Sequence, residues 1–571
     1  MRLPKLEGKT GSTELNRQFL GYRHVDAPDE GAFYEMENVT SERYPLMAPR
    51  SPRAKLYTLQ NPGGLCAKTA LAWTENGKLY YGGEAVADVS EGEKTFVSMG
   101  AWLIVFPDGV RYNTADGTVD AIGQKNVTDG TVNFTLCEAD GTAYSDYTVS
   151  ETEPEDTTKY WLCTGSDPHC LKKYSAATKL WNTIPTTYVM ISAAGIGKNL
   201  AEGDTVTVSG VLDSVGADLN GEMLLQQAAD DAVVVVGFLD ETASQTDAVT
   251  LERKAPKLDY VVECNNRLWG CSSEENEIYA CKLGDATNWN CFAGLATDSY
   301  TVSVGSDGPF TGAAVQLGYV LFFKENCLHK VYGSKPSNFQ VSMTACEGVQ
   351  PGSAKSLCMV GSTLYYKADH GVMAYDGSVP ESVSAALGGV YYQNAVAGTE
   401  RGRLYLSMQD AAESWHLFVY DTETGIWCRE DAAHAAAFAT LNGNAYMLDA
   451  DGCVWKLTPA EGEATEGPVR WMAETGMLDP YVLDAHYTNR LPIRLPEGSR
   501  FAVWAQYDDG DWQRAADFAG RRSRSVFLPV ILRRCDHVRL RLCGVGPCKV
   551  YAMSRVTATG SERRERDSLN G

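Results

Sequence analysis

Leu357-Cys-Met-Val-Gly-Ser-Thr-Leu-Tyr-Tyr366, followed after a short polar loop by Val372-Met-Ala-Tyr-Asp-Gly377, is the first of three near-copies of one pattern between Ser356 and Ala460. The second is Ala395-Val-Ala-Gly-Thr-Glu-Arg-Gly-Arg-Leu-Tyr-Leu406 with Leu417-Phe-Val-Tyr-Asp-Thr-Glu-Thr-Gly-Ile-Trp427. The third is Ala437-Phe-Ala-Thr-Leu-Asn-Gly-Asn-Ala-Tyr-Met-Leu448 with Val454-Trp-Lys-Leu457. Each copy holds an apolar run, a Gly or Asn turn, an aromatic strand, a polar loop and a second aromatic strand. The copies start about 40 residues apart, which is the period of propeller blades. The pattern therefore predicts an all-β chain built on a β-propeller.

The same unit can be followed outward in both directions. Thr69-Ala-Leu-Ala-Trp-Thr-Glu-Asn-Gly-Lys-Leu-Tyr-Tyr81 sets an Asn-Gly hairpin turn between apolar runs, and Phe96 to Asn113 repeats it. Further units start at Leu258 and Gly312, which brings the count to seven. Residues 56–123 thus read as the first blades and 258–460 as the remaining ones. Between them, 124–257 departs from the repeat. Thr187 to Gly197, Asp204 to Gly210 and Ala232 to Phe238 alternate as half-buried strands, predicting a small inserted β-sandwich or barrel. The first half of this insert, with Glu151 to Thr158 acidic and polar, reads as an exposed loop. A polar linker, Glu461 to Gly467, leads into 461–571, where period-two alternation predicts a C-terminal β-sandwich ending in a basic tail. Residues 1–55 read as an extended arm, because the prolines from Pro45 to Pro52 break any helix.

At 571 residues the chain is long enough for roughly three or four domains. Its 54 Gly and 29 Tyr suit a turn-rich β protein. It has no apolar run of about 18 residues, so no membrane anchor is expected. The N-terminal residues lack the apolar core of a signal peptide, which points to synthesis in the cytosol and to 16 reduced cysteines. The net charge of −23 argues against general nucleic-acid binding. The charge is uneven, however: Arg521 to Asp567 is strongly basic on an otherwise acidic chain. Arg43, Arg50 and Arg53 of the arm, with Arg521, Arg522, Arg524, Arg533 and Arg534, are the candidate subunit-contact residues, since each could meet a carboxylate-rich surface.

Candidate chemistry is sparse. Cys163-x5-His169-Cys170 fits no zinc module, and Cys535-Asp536-His537 reads as one strand with alternating faces. Ser306-Asp-Gly, Ala115-Asp-Gly and Asp421 to Trp427 only echo the Asp boxes of sialidase propellers. Asp230-Asp231 and Asp508-Asp509 read as turn carboxylates rather than an acid and base pair. Gly195-Ile-Gly-Lys lacks the spacing of a phosphate loop. No catalytic residue, cofactor or metal is expected, and the sequence reads as that of a protein that is not an enzyme.

Three segments carry a family resemblance. Asn38 to Arg50 resembles the N-terminal arm of tailed-bacteriophage and prophage virion proteins. Trp181 to Ile191, Ile196-Gly and Gly203 to Gly210 are similar to their inserted β-domain. Ser525 to Val530, Arg534 to Gly546 and Tyr551 to Arg555 are similar to their C-terminal domain. The group resembled is the tail hub, nozzle or DNA-stabilisation proteins of short-tailed phages. The resemblance implies a ring-forming structural subunit, commonly a hexamer, that joins the adaptor and fibre of a virion tail. Such a ring retains packaged DNA and then forms part of the ejection conduit, with DNA only as passing cargo. It would be assembled in the host bacterial cytoplasm. An acidic conduit wall would repel the genome rather than stall it. The alternative is a peripheral tail protein binding host-surface carbohydrate, with Trp161, Trp181, Trp471, Trp504 and Trp512 as stacking candidates.

Overall fold

The computed structural model describes residues 11–25, 28–292, 294–478, 486–495, 497–519, 524–528 and 535–559. Seven four-stranded antiparallel sheets follow the repeat: blade 1 at 62–88, blade 2 at 95–121, blade 3 at 260–303, blade 4 at 310–345, blade 5 at 358–382, blade 6 at 392–429 and blade 7 at 435–456. Within blades 1 to 6 the strands hydrogen-bond in chain order. The first strand of a blade meets that of its neighbour at most junctions, from blade 2 to blade 3 and from blade 6 through blade 7 to blade 1, so the blades close into a ring.

The fold is thus an all-β propeller, and its closure explains one departure from the sequence reading. Blade 7 contributes only three strands of its own, and its outer fourth strand is Ala54–Thr58, paired antiparallel with Cys453–Lys456. The end of the expected arm is therefore propeller. A blade presents unsatisfied edge groups and an uncovered apolar face unless neighbours complete it. A strand borrowed from the chain start ties the two ends of the ring together.

Packing between blades depends on aromatic residues meeting small ones. Gly398 on the first strand of blade 6 lies under the Phe438 ring of blade 7, and a Cβ there would come within 2.4 Å of it. Trp73, Phe322, Tyr366, Phe418 and Trp427 fill the space between sheets, each 4% exposed or less.

The insert holds two lobes. Eight strands between 124 and 253 curl around one apolar core that includes Phe134, Ile191, Val206, Val233 and Leu251. The first half of the insert is more than the loop expected there. Tyr147–Ser150, Tyr160–Cys163, Cys170–Ser175 and Leu180–Thr183 form a separate four-stranded sheet, opened by a parallel pair, over Leu136, Leu162 and Leu171. The acidic stretch 151–158 is a loop between two of these strands, and Leu162 and Leu171 supply a small core that it obscures in the sequence.

The C-terminal sandwich has a five-stranded and a four-stranded sheet, and the arm supplies one strand to each. Glu35–Glu37 pairs with Arg470–Glu474, and Gly11–Asn16 pairs with Ala552–Thr559. The arm is accordingly part of this domain rather than a free extension. Phe19, Tyr22, Phe33, Met36 and Val39 of the arm share one core with Phe418 and Trp427 of blade 6 and with Trp471, Phe501 and Leu542 of the sandwich.

Candidate interface of the arm and its charged residues

The arm runs from the sandwich to blade 6 through residues 38–53, and its Glu42, Arg50 and Arg53 each meet an opposite charge. Asn38 turns the chain with φ of 56° and donates from Nδ2 to the Arg470 carbonyl at 2.9 Å. Arg50 Nε donates to Asn38 Oδ1 at 2.7 Å, and Arg50 Nη1 donates to Glu466 Oε1 at 2.6 Å. Arg53 Nη2 reaches Glu430 Oε2 at 2.7 Å and its Nη1 reaches Asp431 Oδ2 at 2.9 Å. Arg50 Nη2 shares Asp431 Oδ2 at 3.2 Å. On either side, Arg403 donates to Glu42 at 2.7 Å, Arg429 to Glu35 at 2.5 Å, and the Ser41 hydroxyl to Asp421 at 2.8 Å.

Burial gives this network its character. Arg50 and Arg53 are 8% and 5% exposed, so their attraction to Glu430 and Asp431 is little screened, while the two arginines and Glu430 have given up most of their water. Burial pushes the Asp431 carboxyl up, but Arg53 and Arg50 outweigh it and hold the group below the ordinary carboxylate range. The same carboxylates keep the Arg53 guanidinium charged against burial. The network is a fixed clasp between arm, blade and linker.

This corrects the assignment of Arg50 and Arg53 to a subunit contact: both are consumed by carboxylates of their own chain. Arg43 differs. It is exposed and lines a cleft of about 500 Å³ together with Glu42, Pro52, Pro468, Pro547 and Lys549. Arg524 lies in the strand Arg524–Leu528, opposite Leu495, and its side chain falls outside the described residues. Arg521, Arg522, Arg533 and Arg534 lie outside them altogether. Part of the basic C-terminal charge is also used internally. Arg541 donates to Glu474 at 2.8 Å and lies 4.0 Å from the Trp512 ring centre. The sequence reading missed Glu430, Asp431 and Glu466. Glu466 sits in the stretch taken as a solvated linker, and nothing local marks it as an ion-pair partner.

Two of the carboxylates weighed for catalysis brace neighbouring loops through backbone N–H groups. Asp231 accepts from the Gly195 N–H at 2.8 Å, and Asp508 accepts from the Asp536 N–H at 2.7 Å. Among the described residues no group of three or more His, Cys, Asp or Glu is placed to hold a metal. Of the tryptophans weighed for sugar stacking, Trp161 and Trp471 are buried at 4% and 2% exposure. A smaller cleft of about 170 Å³ at blades 5 and 6 is better furnished. Lys367, Asp369, His370 and Tyr391 line it. The Tyr391 hydroxyl donates to Asp369 at 3.0 Å and accepts from Gln350 at 2.9 Å, with the ring 49% exposed. Burial pushes the Lys367 amine down to about 8.

No family model matches the chain, and no curated protein does. Among solved structures it is similar to BamB from Moraxella catarrhalis, with a TM-score of 0.29 and 10% identity over 72% of this chain and 97% of that one. It is also similar to PorZ of the type-IX secretion system of Porphyromonas gingivalis, with a TM-score of 0.25 and 13% identity over 82% and 70%. The third is an exo-β-1,3-galactanase from Phanerochaete chrysosporium, with a TM-score of 0.21 and 8% identity over 52% and 95%. Likeness this low transfers no residue and no activity. The presence of glycoside hydrolases among these structures nevertheless corrects the expectation that the chain is not an enzyme: a propeller of this kind gives no ground for excluding catalysis.

Proposed function

We propose that the chain is a structural subunit of a phage tail, a hub- or nozzle-type ring component below the portal and adaptor. The observation that supports it most is the clasp. The arm adds a strand to both sheets of the sandwich and one to blade 7, and between them it buries Arg50 and Arg53 against Glu430, Asp431 and Glu466. A body closed in this way resists being pulled apart, as a conduit under genome pressure must. The net charge of −23 agrees with a wall that does not hold DNA. Arg43 and Lys549, at the mouth of their cleft, are cations left to meet a neighbour's carboxylates.

Negative-stain imaging of the purified full-length chain, alone and mixed with a phage adaptor protein, tests the reading. Closed rings with six-fold symmetry are expected. A chain that stays monomeric in both conditions overturns the assignment.

The second reading, attachment to host-surface carbohydrate, is favoured by the cleft at Tyr391. An exposed aromatic ring beside Asp369 and the exposed His370 combines a stacking face with polar groups on the same cleft wall. Glycan-array binding that disappears in Tyr391→Ala would favour it over the ring.

A further inference from the structure

We propose that Cys163 and Cys170 form a reversible intrachain disulfide by exchange with small-molecule disulfides, a modification site on the second lobe of the insert. The two residues are direct partners on adjacent antiparallel strands, Cys163 opposite Cys170 at the end of the ladder. Residues so placed point to the same face, with Cα atoms about 4.5–5.5 Å apart. That spacing lies inside the range of about 4.4–6.8 Å that a disulfide spans. Ser166, in the connecting loop, bridges the pair: its hydroxyl lies 3.4 Å from the Cys170 sulfur and hydrogen-bonds the Cys163 sulfur. Both thiols are free in the structure.

The surroundings single out this pair from the other cysteines. Burial pushes the Cys163 thiol up, but the Ser166 hydroxyl, the Gly165 N–H and the charge of Lys172 outweigh it, so the thiol sits below its ordinary value. Burial instead pushes up the thiols of Cys66, Cys137, Cys264, Cys271, Cys281, Cys346, Cys358, Cys428, Cys543 and Cys548. Low thiol pKa and a resolving partner are the marks of a redox-active cysteine. Leu162 and Leu171 take the opposite face into the lobe's core, so joining the two sulfurs leaves that core untouched. A zinc ion is a poorer occupant, since His169 is engaged by Asp240 at 2.7 Å and two sulfurs alone leave the coordination half empty.

The exchange balances without a further electron acceptor. Cys170, the less buried of the two, attacks one sulfur of a reagent such as oxidised glutathione. The reagent's S–S bond breaks, a mixed disulfide forms on Cys170, and one thiolate leaves and takes the proton that Cys170 gave up. Cys163 then attacks the Cys170 sulfur and expels the second thiolate, which takes the Cys163 proton. Two protein thiols are oxidised, and one small disulfide is reduced to two thiols. Nothing in this depends on the tail reading.

The test treats the folded, full-length chain with oxidised glutathione, blocks remaining thiols, cleaves before Asp167 and maps the peptides by mass spectrometry. A Cys163–Cys170 link that dithiothreitol reverses is expected, with the buried cysteines blocked only after unfolding. In Cys163→Ser, glutathione should stay on Cys170, and Cys170→Ser should take up none in this lobe. A glutathione adduct that persists on Cys170 in the unaltered chain, or two thiols that remain free, would overturn the proposal.

Discussion

Arg53 and Glu430 lie 377 residues apart in sequence and 2.7 Å apart in space, each at most 6% exposed at the side chain. Removing Arg53 leaves the buried Glu430 and the partly buried Asp431 with one cation fewer, and breaking such a buried pair costs about 3–5 kcal/mol. Arg53→Ala should therefore lower the urea midpoint markedly and release the arm to limited proteolysis. Arg43→Ala, at an exposed site, should change neither by more than about 0.5 kcal/mol.

Acid should loosen the same clasp. The folded Asp431 carboxyl lies below its unfolded value of about 3.9, so its contribution is full above that pH and is lost as the pH falls through the folded value. Stability measured from pH 7 to pH 2 should drop steeply below about pH 4. Asp431→Asn should be less stable at pH 7 and show a flatter acid limb. An unchanged acid limb in that variant would remove Asp431 from the account.

His329 predicts a second, separate slope. Its ring is buried, accepts or donates at 2.8 Å with the Ser306 hydroxyl, and is pushed down to about 4 by burial with help from the Lys324 charge. The unfolded chain binds this proton below about pH 6.5 and the folded chain only near pH 4, so stability falls as the pH drops through that window. The loss should be about 2 kcal/mol at pH 5, growing to about 3 kcal/mol near pH 4, and His329→Gln should abolish it. Urea midpoints at pH 7 and pH 5 are the measurement.

Packing between blades 6 and 7 can be tested at Gly398. A methyl group there meets the Phe438 ring at 2.4 Å, so Gly398→Ala should cost about 1–3 kcal/mol through overpacking. Combining it with Phe438→Leu should recover part of that cost, which a double-mutant cycle of melting midpoints would show. Additive losses would mean the two blades do not meet at this contact.

The propeller was legible because its information is local. Asn-Gly and Asp-Gly turns between alternating aromatic runs specify hairpins within about 20 residues, and recurrence at one period specifies blades. Seven such units could be counted from the sequence, and seven blade sheets are present among the described residues. The role of residues 1–58 was not legible, because pairings such as Glu35–Glu37 with Arg470–Glu474 and Ala54–Thr58 with Cys453–Lys456 span nearly the whole chain. Strands of two to six residues carry too little periodicity to announce themselves. The destination of each arginine was equally hidden. Arg43, Arg50 and Arg53 look alike in sequence, and burial against blade 6 separates them, leaving Arg43 exposed and turning Arg50 and Arg53 into internal ties. Local turn chemistry and alternation determined the blades; only the folded chain decided which charges face one another, because Coulomb attraction depends on distance and dielectric rather than on sequence order.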